Sequence, residues 1–203
     1  MESAGRRKGP KYEKIIEAAI DVIAENGFHQ AQVSKIAKKA GVADGTIYLY
    51  FKNKEDLLLS LFREKLNLYV GKLESAIRAK QNVQEKLQAL IHMHFVNLSE
   101  NPNWAIVTQL ELRQSDKQLR KQIGENLRGL FALLDHIIEA GTREAVFDIN
   151  LDNRLARQMI FGTIDETVTT WVMKEHKFDL VALAHPLSQL LLNGLINHTM
   201  NRS

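Results

Sequence analysis

The stretch VSKIAKKAGVADGTIYLYFKNKEDLLL, residues 33–59, decides how the rest of the chain is read. Val33, Ile36, Ala37 and Ala40 recur at i, i+3, i+4 and i+7, one face of a short helix that Gly41 stops. A second short helix is expected from about Asp44 to Tyr50, with Ile47 and Phe51 turned inward. Two short helices joined by a glycine-containing turn form a helix-turn-helix, whose second helix enters the major groove of duplex DNA. Here the outward side of that helix carries Gly45, Thr46, Tyr48 and Leu49, followed by Tyr50. An exposed Tyr-Leu-Tyr beside Lys52 and Lys54 is costly on an idle surface. Against DNA the same groups are useful, because hydroxyls bond phosphates and base edges, apolar groups meet thymine methyls, and lysines neutralise phosphates.

Working outward from this motif, the periodicity stays helical. Upstream, residues 11–26 place Ile15, Ala19 and Ile23 on one stripe with Ile16 and Ile20 beside it, and Gly27 ends the helix. Residues 1–10 are small, polar and basic, an arm in which Arg6, Arg7 and Lys8 precede Pro10 and Lys11. With Lys35, Lys38, Lys39, Lys52 and Lys54 around the motif, these cations predict DNA binding that weakens steeply with salt as released counterions are lost as a driving force. Downstream, Asn53 is placed to cap a long helix, with Glu55 and Asp56 in its first turn. An apolar stripe of Leu58, Leu61, Phe62, Leu66, Tyr69, Leu73 and Ile77 carries that helix to about Lys80. Further helices are expected near 84–99, 103–112, 118–143, 152–175 and 179–200.

The bulk numbers agree with an all-α protein. The chain has 203 residues, 45% hydrophobic and 25% charged, with only three prolines. A net charge of +3 is a mild sign of an anionic partner, and the clustering of the cations says more. The absence of cysteine removes disulfides and thiolate metal sites. No apolar run approaches the ~20 residues needed to span a bilayer and no signal peptide opens the chain, so a soluble cytoplasmic protein is expected. Catalysis finds no support: there is no nucleophile motif, phosphate loop or dinucleotide fingerprint. His92 and His94 stand at i, i+2, which points them to different helix faces and argues against a metal pair. Asp165-Glu166, adjacent on a helix, is better placed to orient arginines or threonines than to act as an acid pair. No catalytic residue, metal or cofactor is expected.

The same stretch resembles the signature of TetR-type repressors: Ile-Ala, then Ala-Gly-Val, then Gly-Thr-Ile-Tyr-x-Tyr-Phe, then Lys-x-Lys-Glu-x-Leu, all in that family's spacing. With the first helix, the resemblance covers residues 11–60. It implies operator contacts at Ser34, Gly45, Thr46, Tyr48, Leu49, Tyr50 and Lys54. To these the basic pattern adds Lys35, Arg6 and Arg7. Ala31 and Gln32 depart from the threonines common at the start of the second helix, and Ala43 from a capping serine, which passes that cap to Asp44. The architecture implied is an N-terminal arm and three-helix DNA-binding domain over residues 1–53. Residues 54–203 then form a linker helix with a ligand-binding and dimerisation domain, about nine helices in all.

Residues 155–172 and 180–196 are apolar on more than one face and must be covered on both sides. In TetR-type proteins the last two helices pair with their symmetry mates, so the resemblance implies a homodimer, with Ile164, Val168, Trp171, Leu187, Leu191 and Leu195 as the expected interface. A dimer also holds two recognition helices about one DNA turn apart, ~34 to 36 Å, to read a palindrome. AIVTQLELRQSDKQLRKQI (residues 105–123) and RLARQMIFGTIDETVTTWVM (154–173) are similar to the fatty-acid-degradation repressors of Gram-positive bacteria within this family. That similarity implies long-chain acyl-CoA as effector and release from β-oxidation operators when it binds, through movement of the long fourth helix. Arg113, Arg120, Arg154 and Arg157 are the candidates to hold the CoA phosphates by forked hydrogen bonds, and Trp104, Leu110, Phe131 and Phe161 to line the chain. Ion pairing with Glu111, Asp116, Asp152 or Glu166 is the structural alternative for these arginines. A TetR-type repressor sensing another apolar compound, such as an exported drug, is the alternative for the effector.

Overall fold

In the computed structural model, which describes residues 9–196, the chain is helical throughout, and the described residues contain no strand, only an isolated bridge between Phe147 and Ile196. The arm residues Arg6 and Arg7 lie outside the described residues. The helices are α1 (Pro10–Asn26), α2 (Val33–Ala40), α3 (Asp44–Tyr50), α4 (Lys54–Arg78), α5 (Val83–Ser99), α6 (Pro102–Glu111), α7 (Lys117–Asn126), α8 (Arg128–Arg143), α9 (Asn153–Met173) and α10 (Ala184–Leu195). They form two compact units. One takes the described residues up to Leu66 with Ile106–Asn126, the other Asn67–Ala105 with the described residues from Leu127. The first unit is thus larger than the expected domain of residues 1–53, and the division falls within α4 and within α6.

Among the described residues ten α-helices stand where about nine were expected, because the segment expected as one helix over 118–143 breaks at Leu127. A Cβ on Gly129 would stand 3.3 Å from Val70 Cγ2, so α8 begins where its backbone approaches α4 closely. The last helix is also shorter than expected at its start, opening with a 3-10 turn at Val181–Leu183 before α10. Pro186 then sits in the first turn of α10, where its missing N–H costs nothing.

In the first unit, α1 buries Tyr12, Ile15, Ile16, Ala19, Ile20 and Ile23, and α2 packs on it with Ile36, Ala37 and Ala40. The fully buried isoleucines each contribute about 1.5–3 kcal/mol relative to exposure. Gly27 (φ 71) and Gly41 (φ 68) end α1 and α2 in the left-handed region that favours glycine. Only Ile47 of α3 is buried, and Phe51 after it stacks on Tyr12 at 5.3 Å. Asp44 does not cap α3: the N-cap is Ala43, with no side-chain bond, and Thr46 N donates to the Ala43 carbonyl at 2.8 Å. The start of α4 is capped reciprocally, Asn53 Oδ1 accepting from Asp56 N and Asp56 Oδ2 from Lys52 N, both at 2.8 Å.

In the second unit, α5 packs against α8 and α10, and α8 against α9. Asn82 caps α5 by accepting from Glu85 N at 2.8 Å. Asp152 caps α9 through Leu155 N and Arg154 N, and these bonds hold its carboxyl below the usual range. After α8 the chain turns so tightly that a Cβ on Gly141 would fall 2.2 Å from the Phe147 ring.

Candidate functional site

The geometry of α2 and α3 separates an inward from an outward set. Ile36 and Ile47 are buried, while Ser34, Lys35, Gly45, Tyr48 and Leu49 are exposed, Tyr48 by 54% and Leu49 by 72%. Thr46 and Tyr50 are half-buried, and Tyr50 meets the edge of Tyr12 at 6.0 Å. The outward side of α3 is therefore apolar and aromatic without being needed for the core. Gly45 adds a second sign. Nothing lies within 4 Å of the place its Cβ would take, and its φ is not positive. A helical glycine costs about 1 kcal/mol relative to alanine, and here neither packing nor backbone conformation asks for it. The open space lies on the outward side of the helix.

The cations around α3 divide by partner. Lys39 lies 3.0 Å from Asp21 and 3.2 Å from Glu25, and those carboxylates raise its pKa. Lys35 Nζ reaches Asn26 Oδ1 at 3.2 Å. Lys54 donates to the His29 carbonyl at 2.9 Å and lies 4.8 Å from the centre of the Phe28 ring, so it is committed to the turn between α1 and α2. Lys38 and Lys52 are exposed.

The expected effector residues fall into two groups. Arg113 and Arg120 belong to the first unit, where Arg113 donates to the Gln109 carbonyl at 3.1 Å and Arg120 to the Gln114 carbonyl at 2.6 Å. Both therefore bond the backbone of α6 and the turn after it. Leu110 in the same unit is exposed. In the second unit the structure brings three expected residues together. Phe131 and Phe161 meet edge to face at 5.1 Å, and the Arg157 guanidinium lies 5.6 Å from the Phe131 ring centre while it pairs with Asp135 at 2.6 Å. That half-exposed aromatic and cationic cluster suits a flat or anionic ligand group. Arg154 is exposed at the start of α9, and Trp104 is buried.

Sequence reasoning missed a polar pair in the interior of the second unit. Tyr69 on α4 and His94 on α5 share a hydrogen bond between Oη and Nδ1, their rings 5.5 Å apart. Burial pushes His94 down to about 4 and Tyr69 well above the usual tyrosine range. His92, two residues away, is exposed on the other face of α5, as its spacing predicts. Tyr69 was legible only as a member of an apolar stripe. Among the described residues no cluster of acidic, histidine or cysteine side chains is arranged to hold a metal ion, and no helix is long and apolar enough to cross a membrane.

Most of the expected dimer residues are buried within their own chain. Ile164, Val168, Trp171, Leu191 and Leu195 are 0–4% exposed within a single chain, and Leu187 is half-buried. They form the core of their own unit. The exposed apolar positions lie one step round each helix: Leu155, Met159 and Gly162 on α9, and Leu183, Leu190 and Gly194 at and within α10. Gly194 faces Met159, whose Cε would lie 3.6 Å from an added Cβ, so the two stripes run side by side.

A family model described as bacterial regulatory proteins, tetR family, matches residues 15–61, and one described as YsiA-like protein, C-terminal region, matches residues 62–194. The chain belongs to the TetR family. Among its relatives in that family, the fatty acid metabolism regulator protein of Bacillus subtilis is 57% identical over 192 residues, covering 95% of this chain and 99% of that one. The structure of the fatty acid degradation regulator FadR from Bacillus halodurans superposes with a TM-score of 0.88 at 58% identity, covering 91% of this TetR-family chain and 99% of that one. The crystal structure of FadR from Bacillus subtilis in complex with stearoyl-CoA matches with the same TM-score, identity and coverage. The ketosteroid regulator KstR2 of Mycobacterium tuberculosis, at 22% identity and a TM-score of 0.74, shares the fold. The TetR-family assignment makes α1 to α3 a DNA-binding helix-turn-helix and the protein a transcriptional regulator; its matched relatives are named as regulators, not enzymes.

Proposed function

We propose that this chain is a cytoplasmic, dimeric repressor of fatty-acid-degradation genes that leaves its palindromic operator on binding long-chain acyl-CoA. One observation carries the reading: near-complete coverage at 57% identity with a fatty acid metabolism regulator, whose Bacillus subtilis counterpart FadR is seen with stearoyl-CoA. The outward face of α3, with Gly45, Thr46, Tyr48 and Leu49, supports the DNA half of the reading, with Ser34 and Lys35 beside it. Lys54 contributes by fixing the α1–α2 turn and placing positive charge at the start of α4.

Dimerisation is supported by the exposed stripes of α9 and α10. Residues 155, 159, 162 and 166 on one helix and 183, 187, 190 and 194 on the other share the spacing i, i+4, i+7, i+11, and the two glycines allow close approach. Four such helices from two copies bury what one copy leaves exposed. For the effector, the Arg157, Phe131 and Phe161 cluster is the best-supported contact with the CoA portion. Arg113, Arg120 and Arg154 are secondary candidates, the first two because they already bond backbone carbonyls. To empty the operator, the ligand must favour the non-binding state by several kcal/mol.

The test is an electrophoretic shift on a palindromic promoter fragment of a β-oxidation gene. Release by stearoyl-CoA, and not by free stearate or a cationic dye, is the expected result. Release by the dye alone would instead make this an efflux-type regulator.

A further inference from the structure

We infer that His94, oriented by Tyr69, donates a hydrogen bond to the thioester carbonyl of the effector, and that this pair lets the protein tell an acyl thioester from the free acid. The inference rests on the proposed acyl-CoA effector and adds the residue that reads its one polar atom next to the chain.

The argument begins with where the pair sits. On the same two helices within this unit α4 buries Leu73 and Ile77, and α5 buries Leu90, Ile91, Phe95 and Leu98, so the neighbouring buried positions are hydrocarbon. Tyr69 is itself buried, whereas His94 keeps some accessible area, which places the imidazole at the edge of the apolar interior. Among the described residues the bond to Tyr69 is the one hydrogen bond His94 makes, through Nδ1. Its other ring nitrogen is left for something else.

Chemistry then sets what that nitrogen offers. Desolvation keeps His94 neutral at cellular pH and keeps the proton on the Tyr69 phenol. A phenol is the stronger donor of the two, so Tyr69 Oη–H donates to Nδ1 and the single imidazole proton resides on Nε2. Nε2–H is thus a neutral donor on an apolar wall. Such a donor repays the desolvation of a thioester oxygen, but it cannot repay that of a carboxylate, whose charge demands a cation or several donors. A long-chain acyl-CoA bound in this unit, as the proposed function has it, would have its carbonyl where chain and polar head meet, the same kind of boundary that His94 occupies.

The test compares palmitoyl-CoA with S-hexadecyl-CoA, a thioether that keeps the chain and the CoA but lacks the carbonyl oxygen. Both are titrated calorimetrically into the full-length protein, into His94→Phe and into Tyr69→Phe. Wild type is expected to bind the thioester about tenfold more tightly than the thioether. In His94→Phe that ratio falls to about one, and in Tyr69→Phe it falls part-way because the tautomer is no longer held. Operator binding without ligand checks that each variant is folded, and the wild-type ratio stands alone if one is not. Equal wild-type affinity for the two ligands overturns the role of His94 while leaving the acyl-CoA reading intact, as does a ratio retained in His94→Phe. Binding of neither ligand to wild type overturns both.

Discussion

The backbone N–H of Phe28 donates to a carboxylate oxygen of Glu111 at 2.8 Å, joining residues 83 positions apart in the chain. Phe28 lies in the turn between α1 and α2, and Glu111 is the last residue of α6. Both are buried, and the other carboxylate oxygen accepts from Gln114 Nε2. The helix-turn-helix is thus tied to α6 by a buried charge whose oxygens are satisfied on both sides. Removing Glu111 strands the Phe28 N–H. Glu111→Ala is expected to lower stability by about 1–3 kcal/mol, read by denaturant unfolding, and to weaken operator binding because the α1–α2 turn loses its anchor. Glu111→Gln, which keeps one acceptor, loses less.

Gly45 gives opposite signs for stability and binding. Gly45→Ala fills open space on a helix and is expected to raise stability by up to about 1 kcal/mol. With α3 in the groove as proposed, the same methyl group would face DNA, and affinity in the shift assay is expected to fall. Tyr48→Ala leaves thermal stability within ~0.5 kcal/mol but costs about 1–3 kcal/mol of operator affinity. A Gly45→Ala protein that binds DNA as well as wild type removes α3 from the interface.

Leu190 is 73% exposed on the stripe assigned to dimerisation. Leu190→Glu buries a charge only if two copies meet there, so sedimentation analysis is expected to show monomer at concentrations where wild type is dimer. Leu191→Ala, one residue on but buried in its own chain, lowers stability by about 2–5 kcal/mol instead.

Gly141 has no room for a side chain. Gly141→Ala drives a methyl group into the Phe147 ring and is expected to lower stability by about 1–3 kcal/mol, seen as a reduced melting temperature.

His94 makes stability depend on pH below neutrality. Its folded pKa of about 4 lies below the ordinary 6.5, so between those values the unfolded chain binds a proton that the folded chain does not. The contribution is complete above pH 6.5 and is lost as the pH falls toward 4, on the order of 3 kcal/mol at the limit. Melting curves from pH 7 to 4.5 are expected to fall more steeply for wild type than for His94→Phe; parallel curves would remove the effect.

Local patterns were legible from the residues alone. The i, i+3, i+4, i+7 recurrence over Val33 to Ala40, the stops at Gly27 and Gly41, and the Asn53 cap each act within a turn or two of helix, so the chain determines them without its tertiary neighbours. The outward set on α3 follows from the same periodicity, because a helix that short has one buried residue, Ile47, to orient it. By itself, then, the sequence determined an all-helical chain with a DNA-reading motif at its start. Tertiary structure decided the rest. The break at Leu127 goes with Gly129 meeting Val70 of another helix, and Arg157 finds Asp135 across 22 residues. In α9 and α10 apolar residues occupy more than one face, so periodicity cannot say which face is core, and only packing placed Ile164 and Val168 inside and left Leu155 and Leu190 out. The Tyr69–His94 bond, between helices separated in sequence, likewise exists only once the fold brings them together.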